Sequence, residues 1–117
     1  MVNLLKAMAR QEGFYVIGSV AQRNHNPGNI EFGSFALRHG ATGSDGRFAF
    51  FPDDPTGFGA MRDLLQRDYA DLTIEQALNK WAPPVENDTS GYIENVCQWT
   101  GLKPGTLVSQ ALTDVPL

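Results

Sequence analysis

Glu12 stands where an amphipathic segment changes into a loop rich in amides and glycines. At the end of a predicted helix its carboxylate faces the negative end of the helix dipole, which disfavours ionisation. The flanking Phe14 and Tyr15 would desolvate it further. Both effects would raise the pKa of Glu12, as a general acid needs near neutral pH, for example to protonate a glycosidic oxygen. The alternative is an ordinary solvated glutamate at a helix end.

Three asparagines, Asn24, Asn26 and Asn29, follow in the loop. Their amides both donate and accept hydrogen bonds, which suits sugar hydroxyl and N-acetyl groups. Pro27 and Gly28 predict a tight turn that exposes main-chain groups to a ligand. The alternative is that the asparagines build the turn through their own side-chain hydrogen bonds, and the two roles are compatible.

Two histidines, His25 and His39, raise the question of a metal site, with Asp45 as a possible third ligand. Their spacing matches neither the His-x-x-x-His nor the Cys-x-x-Cys pattern of zinc sites. We therefore expect no metal and no cofactor, and interpret both as polar loop residues. The single cysteine, Cys97, cannot form an internal disulfide, and its helical context predicts a small core residue rather than a nucleophile.

The first half of the chain must position Glu12 and the asparagines. A helix is predicted over residues 2–12, and Gly13 ends it because glycine accepts left-handed backbone geometry. From Gly18 to Gly46 the composition favours a long loop, with short strands near Ile30–Phe32 and Arg47–Phe51.

The second half is more regular and predicts four helices. Asp54 is the expected N-cap of the first, with Pro55 at its first position. Thr73 and Gln76 form a capping box for the second. The third begins at Asp88 or Thr89 and stops at Gly101, and a short fourth lies in TLVSQAL. Together these elements predict a mainly helical α+β domain of about five helices around a small β-hairpin lobe.

Composition sets the class of protein. The 117 residues, 42% hydrophobic and 19% charged, predict a single folded domain over residues 1–117, which we expect to be a monomer. A net charge of −4 and scattered Lys and Arg argue against nucleic acid as a partner. No apolar run approaches the roughly 20 residues of a membrane span. The first residues are too polar for a signal peptide, so we expect synthesis in the cytoplasm.

Four stretches occur in an order that resembles the lysozyme-like superfamily of enzymes that cleave the glycan strands of peptidoglycan. They are RQEG, RNHNPGNIEFG, GRFAFFPDDPTGFGAMRDLL and NDTSGYIENV, spanning about residues 5 to 100. They are similar to the helix-closing glutamate, the Asn-rich cleft segment, the strand that feeds a helix and the Thr-x-x-Tyr helix start of that superfamily. Several of these features also look like those of bacterial N-acetylglucosaminidases and of phage-borne muramidases and lytic transglycosylases.

The resemblance implies a lysozyme-like fold in which Glu12 is the catalytic acid and peptidoglycan glycan strands are the substrate. It also implies that Asn24, Asn26 and Asn29 bind substrate, and that Tyr92 stacks on or hydrogen-bonds to a sugar or to Glu12; a half-buried core tyrosine is the alternative. Such a protein would act in the periplasm or cell wall after release, after injection or as a virion component. The rival class is a non-catalytic glycan-binding or virion structural protein with the same fold.

The second catalytic carboxylate is where the chain departs from many phage lysozymes. No Asp or Glu lies between Glu12 and Glu31. Glu31 and Asp45 are the candidates, and Asp53, Asp54, Glu86 and Asp88 are weaker ones because caps and turns explain them. Alternatively there is no second acid: a lytic transglycosylase uses one glutamate first as acid and then as base, with a hydroxyl of the sugar as nucleophile.

Overall fold

The computed structural model describes residues 1–113, which contain seven α-helices and one two-stranded antiparallel sheet. In chain order the elements are α1 (Leu4–Gln11), α2 (Val20–Arg23), α3 (Ser34–Arg38), β1 (Gly43–Ser44), β2 (Ala49–Phe50), α4 (Asp54–Asp68), α5 (Ile74–Trp81), α6 (Thr89–Thr100) and α7 (Val108–Leu112). The mainly helical composition with a small hairpin is as predicted. The count of five helices was wrong, because α2 and α3 lie in the segment predicted as loop.

The chain divides into two compact units. The central unit comprises Met8–Asp63, and the terminal unit comprises Met1–Ala7 and the chain from Leu64 onward. A single domain over the whole chain stays a prediction. Within residues 1–113 no helix is both long and apolar enough to cross a bilayer.

The terminal unit follows its sequence signals closely. Thr73 and Gln76 form the predicted capping box at the start of α5. Asp88 caps α6 by accepting a hydrogen bond from the Gly91 N–H, and Gly101 ends that helix with φ 75°. The apolar side chains of this unit that are almost fully buried include Leu65, Ile74, Leu78, Val96, Val108 and Leu112.

The helices of the central unit end in a repeated main-chain motif. After α2 the N–H of Asn26 donates to the carbonyl of Ala21 (2.9 Å) and the N–H of His25 to that of Gln22 (3.2 Å). His25, with φ 50°, occupies the left-handed position between them. This is the Schellman pattern, which satisfies carbonyls at a helix end. Gly40, with φ 97°, holds the same position after α3.

The hairpin pairs Gly43 with Phe50 and Ser44 with Ala49. The strand predicted near Ile30–Phe32 is instead an isolated bridge between Glu31 and Phe48. It stays short because α3 begins at Ser34 and turns the chain away. The predicted N-cap of α4 was also one residue late: the side chain of Asp53, which precedes the helix, accepts the hydrogen bond from the Thr56 N–H (2.9 Å).

Candidate functional site

Glu12 is the residue that follows the last helical residue of α1. Its N–H donates to the carbonyl of Met8 (2.9 Å), and Gly13 takes the left-handed conformation with φ 84°. The N–H of Phe14 donates to the carbonyl of Ala9 (3.0 Å), completing a Schellman motif. The Phe14 ring packs with Ala9 and Ala21 in a small buried cluster. The chain direction at Glu12 is therefore fixed by main-chain bonds and by an apolar contact.

The half-buried Glu12 carboxylate meets the asparagine-rich loop at Asn29. Asn29 Nδ2 lies 3.1 Å from Glu12 Oε1 and donates a hydrogen bond to it. Asn29 has φ 48°, a left-handed conformation that asparagine tolerates better than most residues. The structure thus brings together two of the residues predicted from the sequence, one acidic and one amide.

Asn26 organises the loop from inside. Its side chain is fully buried; Nδ2 donates to the carbonyls of Ile30 (2.9 Å) and Ala49 (3.1 Å), and Oδ1 accepts from the Ile30 N–H (2.9 Å). Its own carbonyl accepts the N–H of Asn29 (3.1 Å). This geometry supports the turn-building alternative for Asn26; contact with a ligand stays a prediction.

Asn24 and Asp45 contact each other. Asn24 Nδ2 donates to Asp45 Oδ2 (3.1 Å), and Asp45 Oδ1 accepts from the N–H groups of Arg47 (2.9 Å) and Phe48 (2.7 Å) in the hairpin turn. These main-chain bonds, with a smaller contribution from Asn24, lower the pKa of Asp45 below its ordinary value. The carboxylate is engaged in shaping the turn, while its catalytic role stays a prediction.

Glu31, the other candidate for a second carboxylate, is exposed. Its Oε1 lies 3.3 Å from Nε of Arg47, which is also exposed. An ion pair of this kind contributes little to stability and is easily broken.

The two histidines have separate partners. His25 Nδ1 lies 2.7 Å from Asp54 Oδ1. His39 stacks on Phe35, and its Nδ1 lies 2.8 Å from the carbonyl of that residue, the ordinary backbone contact expected of a loop histidine. No cluster of three or more His, Cys, Asp or Glu side chains suited to a metal occurs in the described part of the chain.

The aromatic residues after Glu12 differ in their burial. Phe14 is buried and meets Phe58 edge-on, with ring centroids 5.4 Å apart. Tyr15 packs edge-on against Phe14 but is 53% exposed. Burial, and then the charge of Asp54, raise the pKa of the Tyr15 phenol, which therefore stays protonated at neutral pH. The residues that follow, Val16 and Ile17, are exposed apolar side chains.

Two further residues named from the sequence lie on α6 in the terminal unit. Tyr92 is buried with 4% exposure, and its contact with a sugar or with Glu12 stays a prediction. Cys97 is partly buried. Burial, and then the charge of Glu75, raise the pKa of the Cys97 thiol, which disfavours the thiolate that a nucleophile needs.

Gly57 is a positioning residue that the sequence analysis missed. A Cβ at this place in α4 would overlap the carbonyl oxygen of His25 and lie 2.9 Å from Cδ of Pro27. Only glycine lets the helix approach the asparagine-rich loop so closely. The available signal was a glycine inside an otherwise helical pattern, which often marks a close approach of the backbone.

No protein-family model matches the chain, and no curated protein sequence is significantly similar to it.

Proposed function

We propose that the protein has a lysozyme-like fold and cleaves the glycan strand of bacterial peptidoglycan, with Glu12 as general acid. The observation that carries the proposal is the half-buried carboxylate at the end of α1, held 3.1 Å from the amide of Asn29. A carboxyl group fixed in this way is suited to donate a proton to a leaving oxygen. The order of the four motifs that resemble the superfamily supports the same assignment.

In the proposed reaction Glu12 protonates the glycosidic oxygen as the bond from that oxygen to the anomeric carbon breaks. The resulting carboxylate then acts as base and takes the proton of a hydroxyl on the same sugar, whose oxygen bonds to the anomeric carbon. This one-acid route of a lytic transglycosylase is favoured over a two-carboxylate hydrolase because Asp45 is engaged by the hairpin turn, and Glu31 is an exposed side chain without the fixed position that a base or nucleophile needs. Asp45 accepts three hydrogen bonds in and around the hairpin turn, and Glu31 pairs with Arg47.

A binding protein without catalysis is the second candidate. The exposed apolar run of Tyr15, Val16 and Ile17, which follows Glu12 in the chain, favours it, because contiguous exposed apolar residues mark interaction sites. Either protein would reach the periplasm or cell wall by release, by injection or as part of a virion.

The test uses purified peptidoglycan sacculi incubated with the wild-type protein. The proposed enzyme lowers the turbidity and releases soluble fragments, whose mass spectra carry anhydro ends if the one-acid route is used. Reducing N-acetylmuramic acid or N-acetylglucosamine ends would identify a hydrolase instead. Pelleting of the protein with intact sacculi and no soluble fragments would identify the binder and overturn the enzymatic proposal.

A further inference from the structure

We propose that Asn29 is a positioning residue for Glu12, whose carboxamide fixes the carboxyl group so that Oε2, and not Oε1, carries the transferable proton. The inference rests on the proposed function and reassigns Asn29, which the sequence presented as a residue for substrate. Every contact in the argument lies within the central unit.

The direction of the hydrogen bond determines the place of the proton. Asn29 Nδ2 can only donate, and its acceptor is Glu12 Oε1 at 3.1 Å. In a protonated carboxyl group the carbonyl oxygen is the better acceptor and the hydroxyl oxygen carries the proton. Between the two protonated forms of Glu12, a donor at Oε1 therefore favours the one that carries its proton on Oε2.

Within residues 1–113, the hydrogen bond to Glu12 is the one that the Asn29 carboxamide makes. Asn29 Oδ1 is buried and has no hydrogen-bond partner among the described residues. A buried carbonyl without a partner costs free energy, and no bond to Oδ1 sets the orientation of the group. The contact with Glu12 is thus the polar interaction that orients the amide. With Oδ1 out of reach of solvent, little of the amide remains to recognise a sugar.

The backbone at this position does not explain the residue type. A φ of 48° suits glycine at least as well as asparagine. What asparagine adds is an amide at the end of a short side chain.

Both partners are held by their own main chains. Asn26 ties down the turn on one side, through its bonds to Ile30 and Ala49. The helix-ending motif at Gly13 and Phe14 holds Glu12 on the other. Because the main chain is fixed at both residues, the hydrogen bond from Asn29 restricts the Glu12 carboxyl group to one orientation. A glutamate at a helix end without such a bond would rotate freely.

Asn29→Gly is the main test, because glycine keeps the left-handed backbone and removes the side chain that carries the amide. Asn29→Asp keeps the shape of the side chain and replaces the donor with an acceptor. On soluble, uncross-linked glycan strands from peptidoglycan, we expect kcat of both variants to fall about 10- to 100-fold. KM should stay within about twofold of wild type, because no contact with substrate is lost. Thermal unfolding reports whether the variants remain folded.

The opposite kinetic pattern would overturn the inference. A raised KM with unchanged kcat would show that Asn29 binds substrate. Full activity of Asn29→Gly would show that Asn29 has no role in the site. If Glu12→Gln is inactive while Asn29→Gly is fully active, the proposed function stands and the positioning role fails.

A second measurement does not depend on activity. The side-chain amide resonances of Asn29, followed by ¹⁵N NMR from about pH 3 to about pH 8, should shift as Glu12 ionises. In Glu12→Gln this shift should be absent. A pH-dependent shift in the wild-type protein but not in Glu12→Gln supports the orienting contact, even if the protein cuts no glycan. The same shift in both proteins would overturn it.

Discussion

Among single residues, Asp45 is a candidate catalytic carboxylate whose hydrogen bonds stabilise the hairpin turn. It accepts two main-chain hydrogen bonds in the hairpin turn and one from the side chain of Asn24. The sequence showed a carboxylate next to Gly46, and that pattern is typical of a turn as well as of a site. The bonds to Arg47 and Phe48 supply a structural reason for the residue without any ligand.

The lowered pKa of Asp45 predicts a particular dependence of stability on pH. Because the folded pKa lies below the ordinary value of 3.8, the ionised group stabilises the fold above that pH. This stabilisation is lost as the pH falls through the folded pKa. We expect Asp45→Asn to be less stable than wild type at about pH 6, and the difference to shrink towards about pH 2.

Chemical unfolding of both proteins across this pH range checks the prediction. Asp53, whose pKa is also lowered, remains in both proteins and cancels in the comparison. A stability difference that grows on acidification would contradict the assigned role of Asp45.

At the scale of elements, the strongest local signals were sufficient to predict most helices. The end of α1 at Glu12 and Gly13, the capping box of α5 and the glycine stop of α6 are all confirmed. The missed helices α2 and α3 have four and five residues and lie in a segment rich in glycine and asparagine, a composition that favours a loop. In addition, His25 takes the left-handed position after α2, where glycine would have been recognised as a stop.

The site was predictable as a set of residue types but not as a set of contacts. Sequence placed Glu12 and Asn29 in neighbouring elements, and the structure shows their hydrogen bond. The sequence did not reveal that the Asn26 amide would donate hydrogen bonds to the main-chain carbonyls of Ile30 and Ala49. Such partners come from segments distant in the chain, which local patterns do not report.

The approach of α4 to the asparagine-rich loop predicts opposite effects for two glycines of the same helix. A Cβ at Gly57 would overlap the carbonyl oxygen of His25, whereas a Cβ at Gly59 meets nothing within 4 Å. We expect Gly57→Ala to lower the free energy of unfolding by about 1–3 kcal/mol through overpacking. Gly59→Ala should raise it by about 0.5–1 kcal/mol, because alanine loses less conformational entropy in a helix.

Denaturant unfolding of the two variants tests this contrast directly. Equal effects of the two substitutions would mean that the close approach at Gly57 does not constrain the loop.

At the scale of the whole molecule, charge is the property that bears most on the proposed substrate. The net charge is −4, and peptidoglycan is itself anionic, so long-range electrostatics oppose their association. Contacts at the site must therefore supply the binding. Added salt should strengthen binding because it screens this repulsion: the Debye length is about 10 Å at 0.1 M and shortens as salt is added.

This repulsion predicts how binding varies with ionic strength. The fraction of Glu12→Gln that pellets with purified sacculi should rise between about 20 mM and about 200 mM NaCl. A fall over the same range would reveal a local positive surface that outweighs the net charge.

Proton donation by Glu12 is tested by the release of fragments from purified peptidoglycan by Glu12→Gln. The substitution keeps the shape of the side chain and removes the transferable proton. We expect release to fall by about 100-fold or more with thermal stability unchanged. Glu75→Gln, the same chemical change at an exposed position of α5, is the matched control and should release fragments at the wild-type rate. Release at the wild-type rate by Glu12→Gln would show that Glu12 is not the proton donor.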